Sequence, residues 1–142
     1  MSANQLTVNG GLVSANNPFP VIIKSSSSSG IGTAVTFIST ATTNVTLIKS
    51  SSCNLYRIHL VNNSAVWAYL KIFNKATAPV LGTDTPLDVH GIPPGGFLYL
   101  SEVPIGDQFN LGVYIAVTLN PALLDATALA AANTIVGTFR YT

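Results

Sequence analysis

At 142 residues the chain is one domain, long enough to bury a core of its own without help from disulfides or a metal. Only 8% of its residues are charged and the net charge is +1, against roughly 25% charged in an ordinary soluble domain; the six basic residues, Lys24, Lys49, Arg57, Lys71, Lys75 and Arg140, are scattered, which argues against direct packing on nucleic acid. Its 13 Ser, 15 Thr and 12 Asn make the polar surface one of hydroxyls and amides, which favours strands and turns over surface helices.

The first thirty residues have the texture of an arm. Residues 5–8 and 11–14 are short extended pieces, and Asn16-Asn17-Pro18-Phe19-Pro20 is a turn with restricted backbone. The apolar tripeptide Val21, Ile22, Ile23 then precedes a serine run at 25–29 that ends on Gly30 and has the composition of a flexible linker. This divides the chain into an arm and linker over 1–30 and a folded domain over 31–142. Val21, Ile22 and Ile23 either add an edge strand to their own domain or reach a neighbouring subunit by strand addition.

From residue 33 onward short strands recur between turn signals, at 33–39, 44–49, 55–62, 65–74, 87–89, 96–101, 109–119 and 134–141. That number of short strands implies an all-β antiparallel sandwich or barrel. In the third strand Tyr56, Ile58 and Leu60 alternate with Arg57, His59 and Val61. In the fourth, Val66, Ala68, Leu70 and Ile72 alternate with Trp67, Tyr69, Lys71 and Phe73. The fourth strand is apolar on both faces apart from Lys71, so both its faces expect a neighbour. The strand at 109–119 sets Phe109, Leu111, Val113, Ile115, Val117 and Leu119 on one side. One helix is expected, over 121–132, where Asn120 is a capping residue, Pro121 suits the first helical position and Ala and Leu follow. Its Leu123, Leu124 and Leu129 would cover an open end of the sandwich.

Residues able to carry catalysis are few. The acids Asp84, Asp88, Glu102, Asp107 and Asp125 all fall in or beside turns, where Asp84 and Asp107 read as turn caps. His59 and His90 have no third ligand at a diagnostic spacing, so no metal site is expected, and no nucleophile elbow occurs. No catalytic residue and no cofactor is therefore assigned, and the expectation is of a protein that is not an enzyme. A rival reading, a small hydrolase, would use Asp84, Asp88 and His90. Cys53, the single cysteine, reads as a small buried thiol in a strand-connecting turn. The N-terminal stretch lacks the basic start and apolar run of a signal peptide, and no stretch approaches the roughly 20 apolar residues of a membrane helix, so the expectation is folding in a reducing cytoplasm without a membrane partner. Trp67, Tyr69 and Phe73 share one strand face, which suits a protein contact, a sugar-stacking surface with Asn62 and Asn63 nearby, or a second buried core.

A further signal is the wording of the strands and loops themselves. The run NVTLIKSS, NLYRIHLVNNS, AYLKIFNKATAPVLGTDTPLDV, GIPPGGFLYLS and FNLGVYIAVT, spanning residues 44–118, resembles a family of small structural proteins of tailed bacteriophages. Most specific is YLKIFNKATAP-x-x-GTDTP, which strand alternation does not demand. The resemblance implies a virion component, and family members with assigned roles include capsid cement, or decoration, proteins of jelly-roll type that sit as dimers on the outer capsid. It thus implies a homodimer bound to the major capsid protein, bridging neighbouring subunits to stabilise the DNA-filled head. The arm lies outside the resembling stretch; from the residues themselves, Val21, Ile22, Ile23, Trp67, Tyr69 and Phe73 are the interface candidates. The alternative is a head fibre, neck or tail-associated sandwich that binds a host glycan or receptor.

Overall fold

A computed structural model of the chain describes residues 7–8, 11–12, 32–102 and 106–142. The interface candidates Val21, Ile22 and Ile23 and most of the arm lie outside the described residues. Within the arm, β1 (Thr7–Val8) and β2 (Gly11–Leu12) pair antiparallel.

The domain contains β3 (Thr33–Ile38), β4 (Thr46–Lys49), β5 (Cys53–Asn62), β6 (Ala68–Asn74), β7 (Asp88–Ile92), β8 (Phe97–Ser101), β9 (Asp107–Phe109), β10 (Val113–Thr118) and β11 (Ile135–Tyr141). They form two antiparallel sheets. One has the order β3-β11-β5-β8, with β9 pairing the beginning of β5; the other has the order β4-β10-β6-β7. The chain changes sheet at almost every connection, staying in place only from β6 to β7 and from β8 to β9. The expected all-β sandwich is what forms.

Alternation explains where the core sits. Leu70 and Ile72 of β6, Val113, Ile115 and Val117 of β10, Ile48 of β4 and Ile92 of β7 meet Phe37, Ile58, Leu60, Ile135 and Phe139 from the other sheet. Phe37 and Phe139 pack edge to face, 6.1 Å between ring centres. Each such side chain, taken wholly out of water, contributes about 1.5–3 kcal/mol before the entropy of ordering it is subtracted.

Three expectations are corrected by local chemistry. In β5, Arg57 lies opposite Arg140 but Leu55 lies opposite Tyr141, so Tyr56 is an extra, bulged residue. The bulge flips the phase, burying Leu55 and leaving Tyr56 half-buried instead of on the core face with Ile58 and Leu60. The long strand at 109–119 is broken: Gly112 has φ +143°, and a Cβ there would stand 2.7 Å from the Lys49 carbonyl oxygen and 2.9 Å from that of Lys75. The chain bends where β4 and β6 end, and Leu111, expected on the core side, is 55% exposed.

The third correction is the helix. Residues 121–132 form turns, and no helix occurs among the described residues. Lys71 supplies the reason. Its ammonium donates to the carbonyls of Ala122 (2.7 Å), Leu123 (3.3 Å) and Asp125 (2.7 Å), oxygens that an α-helix would turn toward its own N–H groups. The Asp125 carboxylate adds a turn of its own by accepting from the Thr127 N–H and hydroxyl. Leu129 is buried, but Leu123 and Leu124 are about half exposed, so only one of the three expected covering leucines packs inward.

Candidate functional site

The outer face of the four-stranded sheet carries the aromatic candidates, and it is largely closed. Tyr69, Lys71 and Phe73 of β6 stand opposite Thr118, Ala116 and Tyr114 of β10. Phe73 and Lys71 are fully buried there, outside the main core cluster. The 119–128 loop, drawn down by Lys71, closes part of the face, and the 75–86 loop lies against it, a Cβ at Gly82 standing 3.9 Å from the Leu124 carbonyl oxygen. Phe73 thus belongs to a second small core and is removed from the set of surface candidates. Burial pushes the Lys71 ammonium below the usual lysine range, while Asp125 pulls it back up.

Trp67 and Tyr69 remain at the surface. Their rings stack at 6.2 Å with a 19° tilt, and Trp67 is 50% exposed. Gly91 of β7 makes the ledge possible, because a Cβ there would come within 3.1 Å of the Trp67 ring. The nearby amide of Asn62 is not available to a ligand: it is buried, donating to the carbonyls of Val66 and Ile92 and accepting from the Ser64 N–H and hydroxyl. Asn63 is exposed, its N–H bound to the Thr134 carbonyl.

The structure separates the three residues of the hydrolase reading. Asp84 caps its own loop, as expected, accepting from the Val80 N–H and from the Lys75 ammonium. Those hydrogen bonds hold its carboxyl below the usual carboxylate range. Asp88 and His90 pair at 3.1 Å beside a small cavity of about 90 Å³. Ile58, Ile72, Leu100, Arg57, Glu102 and Asp107 also line it, but Asp84 does not. Asp107 is the first residue of β9, opposite Leu55. Cys53 opens β5 opposite Phe109, and burial raises its thiol against the opposing pull of Lys49. Among the described residues no group of three or more His, Cys, Asp or Glu side chains is placed to hold a metal, and no helix is long and apolar enough to cross a membrane.

Among the described residues the outer face of the five-stranded sheet is open. Register places Ile38, Val136, Val61 and Phe97 in one row across β3, β11, β5 and β8. The next row is Thr36, Thr138, His59 and Tyr99, and the last is Ala34, Arg140, Arg57 and Ser101. Phe97 is 64% exposed, Ile38 58% and Tyr99 52%. His59, exposed as expected, meets both rings edge-on, at 6.3 Å from Phe97 and 5.9 Å from Tyr99. Sequence reasoning missed Phe97 and Tyr99 as surface candidates, although the alternation Phe97-Leu98-Tyr99-Leu100 carried the signal: Leu98 and Leu100 pack on the core and the rings face out.

No family model, curated protein or solved structure matches this chain.

Proposed function

We propose that the chain is a virion protein of a tailed phage, a capsid cement protein of jelly-roll type. It docks as a homodimer on the outside of the shell built by the major capsid protein, bridges neighbouring subunits and stabilises the filled head. The order of the sheets supports the jelly-roll assignment. Numbering the eight main strands in chain order gives 1-8-3-6 in one sheet and 2-7-4-5 in the other, the pattern of two sheets wound together. The motifs across residues 44–118 support the phage assignment.

The observation that carries the docking role is the asymmetry of the two outer faces. One is partly covered, with Lys71 and Phe73 buried and the 119–128 loop held by Lys71, while the other presents the exposed Phe97 and Tyr99 rings across a four-strand width. A protein that binds through area needs a rigid surface rather than a pocket, and many weak copies on a lattice multiply a modest contact energy. Particles from a phage deleted for this chain are expected to release their DNA at a lower temperature than wild-type particles, and to recover when purified protein is added. Absence of saturable binding to such particles would count against the assignment.

The Trp67–Tyr69 stack favours a second reading, in which the sandwich belongs to a fibre, neck or tail part and grips a host glycan on that ledge. Glycan-array binding that disappears in Trp67→Ala would support it; an array without hits would dismiss it.

A further inference from the structure

We propose that the open face of the five-stranded sheet is the docking surface, and that it meets a protein patch combining apolar side chains with carboxylates. The inference rests on the reading of the chain as a docking protein and names the face and the chemistry of its partner. The apolar row ending in Phe97 and Ile38 supplies area, and His59 braces the Phe97 and Tyr99 rings from the side, so little freedom is left for binding to remove. None of the outward positions of the three rows is Asp or Glu, whereas Arg57 stands at the far end of β5 from Val61. Four residues along a strand separate them, roughly 14 Å at about 3.4 Å per residue. A partner fits when its carboxylate lies about that far from its apolar anchor.

A second copy of this chain does not fit the same face. Laid face to face with its strands aligned, it brings Arg57 either onto Arg57 or onto the apolar row, and in neither case does an outward position of the three rows supply the opposite charge. Area points the same way. Four strands about 4.8 Å apart and rows spanning about 17 Å give a planar footprint of roughly 300 Å², and even with the relief of its side chains this is a small patch beside the roughly 800 Å² of accessible surface per partner in a stable pairwise interface. Such a contact becomes durable when an array repeats it, and a homodimer would use another face.

The test uses heads purified from a phage deleted for this chain, titrated with full-length wild type, Arg57→Glu, Phe97→Asp and, as a control on the opposite side of the molecule, Leu124→Asp. All three changes are at surface positions, and equal thermal midpoints check that each variant folds. The expected result is a loss of head affinity of about tenfold or more for Arg57→Glu and Phe97→Asp, with Leu124→Asp within about twofold of wild type. Wild-type binding should also weaken with added salt, and that dependence should shrink or reverse in Arg57→Glu. If wild type binds heads and Arg57→Glu and Phe97→Asp bind equally well, the face is wrong while the docking reading stands; if wild type itself does not bind, the docking reading falls. A dimer in sedimentation that Phe97→Asp dissolves would hand the face to a second copy and overturn the proposal. So would a labelled single-stranded oligonucleotide held by wild type and released by Phe97→Asp.

Discussion

Lys71 is the residue on which the closed side of the molecule depends. Its strand position was legible as the one polar break in an apolar stretch, but its burial was not, because the carbonyls that receive its ammonium lie some fifty positions away in sequence. Replacing it by methionine keeps the stem and removes the donor, leaving three carbonyls turned inward without their partner. Lys71→Met is expected to lose about 2–4 kcal/mol of unfolding free energy in urea titrations, with faster amide exchange across 119–128. An unchanged midpoint would show that water satisfies those oxygens. Asp84 makes a prediction of opposite character. Because the folded carboxyl sits below its unfolded value, its contribution is complete above about pH 4 and is lost as pH falls through the folded value. Stability of wild type should therefore drop more steeply on acidification than that of Asp84→Asn. Parallel acid limbs would remove Asp84 as a lock on the 75–86 loop.

Strand existence and approximate extent were readable from alternation in all eight main segments, and the exceptions share a cause. The bulge at Tyr56 is imposed where β5 passes from one neighbour, β8, to another, β9, with the Glu102 N–H donating to the Tyr56 carbonyl. The break at Gly112 is imposed by the approaching ends of β4 and β6. Neither demand is visible within the segment that meets it. The missing helix follows the same logic, since propensity favoured it and a long-range ammonium withdrew its carbonyls. Two substitutions probe such positions. A Cβ at Gly137 of β11 would fall 1.9 Å from the His59 carbonyl oxygen, so Gly137→Ala is expected to lose about 3 kcal/mol or more, or to leave the chain insoluble. Asn62→Ala removes the amide that ties the 62–66 turn to β7 and should lose about 2–3 kcal/mol. A melt within about a degree of wild type for either variant would contradict the packing described.

For the molecule as a whole, composition and alternation were sufficient for the sandwich, while the choice of working surface was not legible. Period-2 reading marked both faces of this stretch as apolar, yet only tertiary packing decides which of those side chains meets solvent: Phe73 is buried and Trp67 remains exposed. On the other sheet nothing among the described residues folds back over Phe97 and Tyr99, so the open face lies where the sequence showed only an ordinary amphipathic strand. A molecule closed on one side and open on the other is suited to coating a larger surface in many copies. Quantitative protein staining of purified virions tests that claim most directly. The cement reading predicts on the order of hundreds of copies per particle, in fixed ratio to the major capsid protein, as an array of weak contacts requires. A dozen copies or fewer would contradict it and move the chain to the neck or tail.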